Sequence, residues 1–189
     1  MTSPKKHIRT FSGRELNIFH IKEEDISIED IGHALSQVNR FNGHVRRPIS
    51  VAQHSVDCAR LCVDTDFEAH ALLHDASEAY IGDVTKWLKQ EDAMGRYREV
   101  EDDIQKTIFR RFGLSTRMPA KVIEADRIMV RFEGRRGFGK SFTIDHPDYP
   151  PLTKEQIARV GEWKHWGWDR AKWEFLAYYG HLQLRRKIR

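Results

Sequence analysis

From Ile28 onward the apolar residues of this chain recur at three-and-four spacing, and that periodicity commits most of it to amphipathic helices. Ile31, Ala34, Leu35 and Val38 form one such stripe. Ser50-Val51-Ala52-Gln53 then reads as a capping box after Pro48, with Ile49 as a staple, opening a helix that runs to about Asp64. Asp66 is placed to cap a further helix through Ala79, ended by Gly82. Tyr97, Val100, Ile104 and Ile108 stripe a helix stopped by Gly113. Pro119 starts another, and two more, over residues 153–163 and 169–187, close the chain. Residues 9–21, with Ser12-Gly13 between β-formers, predict a small hairpin. Residues 134–151, rich in Gly, Pro and charge, predict a long surface loop. The expected fold is all-α with a small N-terminal β-hairpin, organised as one domain over residues 1–189.

No apolar run reaches the roughly 20 residues of a membrane span, and the polar start has no signal-peptide core, so a cytoplasmic location without membrane association is expected. Cys58 and Cys62 are too few for a disulfide framework. The net charge of +4 is concentrated at Arg185, Arg186, Lys187 and Arg189. It suits a small phosphorylated molecule as well as a nucleic acid, and a basic helix end is usually just solvated.

Three polar intrusions disturb the stripes. Asp126 stands between Val122 and Met129/Val130, where a buried carboxylate requires a positive or hydrogen-bonding partner. His54 shares a face with Val51, Cys58 and Leu61. His74-Asp75 is the third, with Glu78 within one helical turn of both. Singly, each is explained by a salt bridge or a satisfied core histidine. Together, imidazoles and carboxylates from three helices can surround one divalent cation and leave positions open for water and substrate.

The ordered set His54, His74-Asp75 and Asp126 resembles the HD-domain metal-dependent phosphohydrolases. The stretches Arg40-Phe41-Asn42-Gly43-His44, Ser50-Val51-Ala52-Gln53-His54-Ser55, Leu73-His74-Asp75-Ala76-Ser77-Glu78 with Gly82-Asp83, and Glu124-Ala125-Asp126 resemble its small 5'-deoxynucleotidase-like branch. The resemblance implies an HD-domain helical fold with His54, His74, Asp75 and Asp126 as metal ligands. It implies Glu78 as acid/base group, Asp75 also touching the attacking water, Arg40 on the substrate phosphate, and residues 83–86, with Asp83, Thr85 and Lys86, lining a nucleotide pocket. Phe41 departs from the tryptophan of the deoxyribose-selective enzymes, so no sugar preference is implied.

The expected activity is removal of phosphate from a (deoxy)nucleoside 5'-monophosphate, or release of tri- or pyrophosphate from a triphosphate by the same centre. A non-catalytic nucleotide- or nucleic-acid-binding module is the rival of another class. One divalent ion is expected, among Mn, Co, Fe, Zn, Ni and Mg, with a small phosphorylated partner rather than nucleic acid and with a homodimer as the suggested assembly. His70 reads as core or as a neighbour of the ligands. His44, Arg46 and Arg47 read as a solvated loop or phosphate contacts, and the tryptophans near the C-terminus as packing or subunit contacts. Gly134-Arg135-Arg136-Gly137-Phe138-Gly139-Lys140 lacks the P-loop pattern but could form a flap at a pocket mouth.

Overall fold

The computed structural model describes residues 7–139, 142–144, 147 and 149–188, with side chains through Arg185. The fold is mostly helical with one antiparallel hairpin, as the periodicity predicts. Strands β1 (His7–Arg9) and β2 (Glu15–Asn17) pair with Ile8 opposite Leu16. Ser12, in the connecting turn, donates through its backbone N and its Oγ to the two carboxylate oxygens of Asp30, at 2.7 and 2.8 Å. Asp30 lies on α1 (Ile28–Gln37), so the hairpin is tied to the first helix.

Helix α2 (Val51–Leu61) is the axis of the molecule. It lies against α1, α3 (Glu68–Leu73), α7 (Ala120–Phe138), α8 (Lys154–Val160) and α9 (Trp168–Ile188). All but one of its residues are buried, the pattern of a helix enclosed on every side. Its polar side chains therefore each need an interior partner. Gln53 donates to Lys164 O and accepts from Trp166 N. Asp57 accepts from Trp163 Nε1 at 2.9 Å and from Arg60 at 3.1 Å. His54 faces the cluster described below. Ser50 caps α2 by accepting from Gln53 N. The reciprocal half of the expected capping box is absent, because the Gln53 side chain is committed to the segment ahead of α9.

The single helix expected from Asp66 to Ala79 is two. Phe67, not Asp66, precedes α3, and after Leu73 the chain tightens into turns before α4 (Glu78–Ile81). The break is held from α6 (Gly95–Arg111): Gln105 Nε2 donates to Leu73 O at 2.7 Å while its Oε1 accepts from Ser77 N at 3.0 Å. One side-chain amide thus replaces helical backbone bonds on both sides of His74-Asp75. The short α5 (Lys86–Lys89) follows Gly82, whose φ of +78° ends α4.

Helix α7 also differs from expectation, running through Gly134-Arg135-Arg136-Gly137-Phe138 where a loop was predicted. The two glycines are sites of close approach. A Cβ at Gly134 would stand 2.0 Å from the Phe142 ring, and one at Gly137 2.4 Å from Val45 Cγ1. The exposed end of the helix is secured as well, since Arg46 N donates to Gly137 O at 3.1 Å. Of the proposed flap, Lys140 lies outside the described residues.

Most of the buried apolar side chains, from Leu16 and Ile26 to Phe175 and Leu182, form one cluster around α2. Among the described residues no helix is long and apolar enough to cross a membrane. Trp166 is buried and Trp163 half-buried against the core, whereas Trp168 and Trp173 are exposed. His70 is a core residue, donating through Nε2 to Ser115 O and set edge-on to Phe109. His44, Arg46 and Arg47 stay at the surface. Of the basic C-terminal residues, Arg185 is exposed and also paired with Glu68, and the side chains of Arg186, Lys187 and Arg189 lie outside the described residues.

Candidate metal centre

His54 comes from the buried wall of α2, His74 and Asp75 from the break after α3, and Asp126 from α7, two turns before Glu133. The four donor atoms converge. His54 Nε2 is 3.3 Å from His74 Nε2, 3.2 Å from Asp126 Oδ1 and 3.6 Å from Asp75 Oδ2. His74 Nε2 is 3.1 Å from Asp75 Oδ2 and 4.0 Å from Asp126 Oδ1. Two ligands each about 2.1 Å from one ion lie roughly 3.0–3.4 Å apart at octahedral or tetrahedral angles, and about 4.2 Å apart across it. The separations fall in that range.

The tautomers make the chemistry of the group explicit. His74 Nδ1 sits 2.8 Å from Ala71 O, which can only accept, so Nδ1 carries the proton. His54 Nδ1 likewise donates to Glu133 Oε1 at 3.0 Å. With Nδ1 committed in both rings, the two Nε2 atoms face one another and two carboxylate oxygens, at a position where a proton or a metal ion can sit. Such a set attracts positive charge. His54 reports this: burial and Arg40 oppose a charge on its ring, yet Cys58, Glu133 and Asp126 together hold its pKa well above the usual range. At Asp75, burial is outweighed by His74, His54 and Arg40, which hold its carboxyl far below the ordinary value. Asp126 is lowered too, by its contact with His54, against the effect of burial. The bonds from His54 Nδ1 to Glu133 and from His74 Nδ1 to Ala71 O fix the two rings in the way metal-binding imidazoles are commonly oriented. The residues fit a cation. The imidazoles form the buried back of the group, while Asp75 and Asp126 are partly exposed on its open side.

Cys58 belongs to the same group. Its Sγ, one helical turn beyond His54, lies 3.5 Å from His54 Nε2, and the donor atoms of His54, Cys58 and His74 all fall within 4.8 Å of one another. Burial pushes the thiol up to about 12.

Arg40 opens a tight turn, Arg40–Gly43, in which Phe41 and Asn42 both take left-handed φ values of 56° and 49°. Non-glycine residues in that region carry strain of about 1 kcal/mol or more each, which tends to mark functional sites. The guanidinium is buried. Its Nε donates to Glu133 Oε2 at 2.9 Å, and its Nη1 and Nη2 stand 3.6 Å from Asp75 and 3.8 Å from Asp126. Arg40 is thus the counter-charge of the carboxylates, as well as the residue expected to meet a phosphate. Phe41 packs edge-on against Phe138 and Phe142.

Glu133 was not among the expected site residues. Fully buried, it accepts from His54 with one oxygen and from Arg40 with the other. It falls seven residues after Asp126 on the same apolar stripe, a signal of the kind that exposed Asp126 itself.

Glu78 is placed by the first turn of α4. Its Oε2 is buried with no hydrogen-bond partner among the described residues, and its Oε1 is 3.8 Å from Lys89 Nζ. Burial, with Asp75 and Asp83 nearby, pushes its carboxyl well above the usual range. Asp83 is half-buried and raised by the same burial and by Asp75. Thr85 and Lys86 are exposed, and the structure turns Lys86 to Tyr149, whose hydroxyl accepts from Nζ at 3.0 Å.

Comparison with known proteins finds relatives at useful identity. The chain is 41% identical over 128 residues to the uncharacterized protein YfdR of Escherichia coli (strain K12), covering 68% of this chain and 70% of that protein. It is 34% identical over 145 residues to the uncharacterized protein RCAP_rcc00048 of Rhodobacter capsulatus, covering 70% of this chain and 74% of that one. No family model matches the chain.

Proposed function

The chain belongs to the family of YfdR and RCAP_rcc00048, and we propose that it is an HD-type metal-dependent phosphohydrolase that removes phosphate from (deoxy)nucleoside 5'-monophosphates. The observation that carries this reading is the convergence of two imidazole Nε2 atoms and two carboxylate oxygens within 3.1–4.0 Å, a donor set that a bound cation suits. A divalent ion held by His54, His74, Asp75 and Asp126 would lower the pKa of a water molecule and draw charge from a phosphoryl oxygen.

The remaining chemistry falls to the chain's own residues. Glu78, buried beside Asp75 and with an oxygen that has no hydrogen-bond partner among the described residues, exchanges a proton with the attacking or leaving oxygen. Arg40 keeps Nε on Glu133. Its two outer nitrogens, at 3.6 and 3.8 Å from their carboxylates, are too long for hydrogen bonds and retain protons to offer phosphate oxygens. Asp83, near Asp75 and Arg40, and the exposed Thr85 and Lys86 stand on the segment after Gly82. Lys86 reaches a phosphate only by leaving Tyr149. Phosphoryl transfer depends mainly on positioning and charge stabilisation, and this set supplies both.

The test is a hydrolysis screen of the common nucleoside mono- and triphosphates against Mn, Co, Fe, Zn, Ni and Mg. Orthophosphate from a monophosphate, lost in Asp75→Ala, supports the reading. Inorganic triphosphate from a deoxynucleoside triphosphate would transfer it to the triphosphohydrolase alternative. Nucleotide or nucleic-acid binding without turnover under every ion would replace it with the binding module.

A further inference from the structure

His54 and Cys58 are four residues apart on α2, a spacing that puts both side chains on one face. Helical spacing alone leaves open which ring nitrogen the sulfur approaches. In this fold Sγ is 3.5 Å from Nε2, the nitrogen that faces His74, against 3.9 Å from Nδ1. For a metal–nitrogen distance of about 2.1 Å and a metal–sulfur distance of about 2.3 Å, nitrogen and sulfur ligands stand roughly 3.1–3.6 Å apart. His74, from a different segment, completes a buried trio within 4.8 Å.

We infer that Cys58 is a further ligand of the metal centre, a thiolate that biases it toward zinc and cobalt and away from magnesium and manganese. This rests on the reading of His54, His74, Asp75 and Asp126 as ligands. Imidazole and carboxylate alone discriminate poorly among divalent ions, whereas thiolate favours the softer ones. As the sulfur–metal bond forms, the S–H bond breaks and its proton passes to the buffer.

Metal-free full-length protein is titrated anaerobically with cobalt(II) alone and followed optically. The expected result is one bound cobalt with visible d–d bands and an intense near-ultraviolet sulfur-to-cobalt band. Cys58→Ser keeps the d–d bands and loses the sulfur band, and its preference for zinc over manganese falls about tenfold or more. Cys62→Ser retains the band, since the Cys62 sulfur lies elsewhere, 4.0 Å from Lys121 O. Cobalt bound to the unaltered protein with d–d bands but no sulfur band overturns the assignment of Cys58 and leaves the other four ligands standing. Failure to bind cobalt, zinc or manganese overturns the metal centre itself. Should Cys58→Ser not fold, the spectrum of the unaltered chain still decides.

Discussion

Replacing Glu133 with glutamine tests the logic of the site most directly. The carboxylate accepts two hydrogen bonds in the interior, from His54 Nδ1 at 3.0 Å and from Arg40 Nε at 2.9 Å. Glutamine has nearly the same shape but one acceptor. It can satisfy one of the two donors, while its NH2 confronts the other. With Glu133 fully buried, no water is at hand to repair the loss. A hydrogen bond involving a charged group is worth about 1.5–3 kcal/mol, and stripping one partner from a buried charge costs about 3–5 kcal/mol. Asp75 and Asp126 still stand near Arg40, which places the expected loss at the lower end, about 3 kcal/mol. For a chain of this length that is a fall of about 6–12 °C in Tm. Zinc affinity should fall about 10–100-fold, because His54 loses the group that orients it. Urea denaturation of the metal-free forms and calorimetric zinc titration measure both. A variant within about 0.5 kcal/mol of the parent and with unchanged zinc affinity would refute the account of Glu133.

Other consequences are as open to measurement. Stripping the ion from metal-loaded protein with a chelator should cost about 2.7 kcal/mol at ion concentrations a hundredfold above Kd, read as a drop in Tm of about 5–11 °C; an unmoved Tm would count against a bound ion. Asp57 is pushed up to about 7 by burial, against Arg60 and Trp163, from an ordinary 3.8. The protonated carboxyl therefore contributes stability that is complete below pH 4 and is lost as pH rises through 7, by about 4 kcal/mol at most. Asp57→Asn should gain on the parent between pH 5 and pH 8 in urea midpoints, and an equal gap at both pH values would contradict this. Gly137→Ala gains about 1 kcal/mol of helix propensity but drives a methyl into Val45, so a net loss of about 1–2 kcal/mol is expected, with partial recovery in Val45→Ala/Gly137→Ala. Gln105→Leu removes both bonds that hold the break at His74-Asp75 and should weaken zinc binding without touching a ligand.

Local signals proved legible and contingent ones did not. The stripes of α1 and α6, the Ser50 cap and the stop at Gly82 depend on residues within a turn or two of one another, so the sequence carries them openly. The break after α3 depends on Gln105, 28 residues from Ser77, and His74-Asp75 alone does not reveal that a distant amide will replace the helical bonds. The end of α7 misleads for a different reason. Glycine and arginine density resembles a loop, but the glycines are small so that Val45 and Phe142 can pack against them. That misreading also hid Glu133, since a carboxylate adjoining an apparent surface loop asks for no partner. At the site, His54 and Asp126 were noticeable because each interrupts an apolar stripe. The distances among them depend on how α2 and α7 pack, which no single stripe encodes.

The bare face of α7 at Gly137 ties the segment bearing Arg40 to the helix bearing Glu133. Residues 40–49 leave and return at a neck where Arg40 N bonds Ile49 O, and near its middle the excursion is gripped through Val45 and the Arg46 amide. A surface excursion so clasped should lack the independent motion usual for such segments, and the Arg46 amide should exchange with solvent as slowly as interior helix amides. An incoming anion would meet a guanidinium already in position, its ordering entropy spent during folding rather than at the moment of binding.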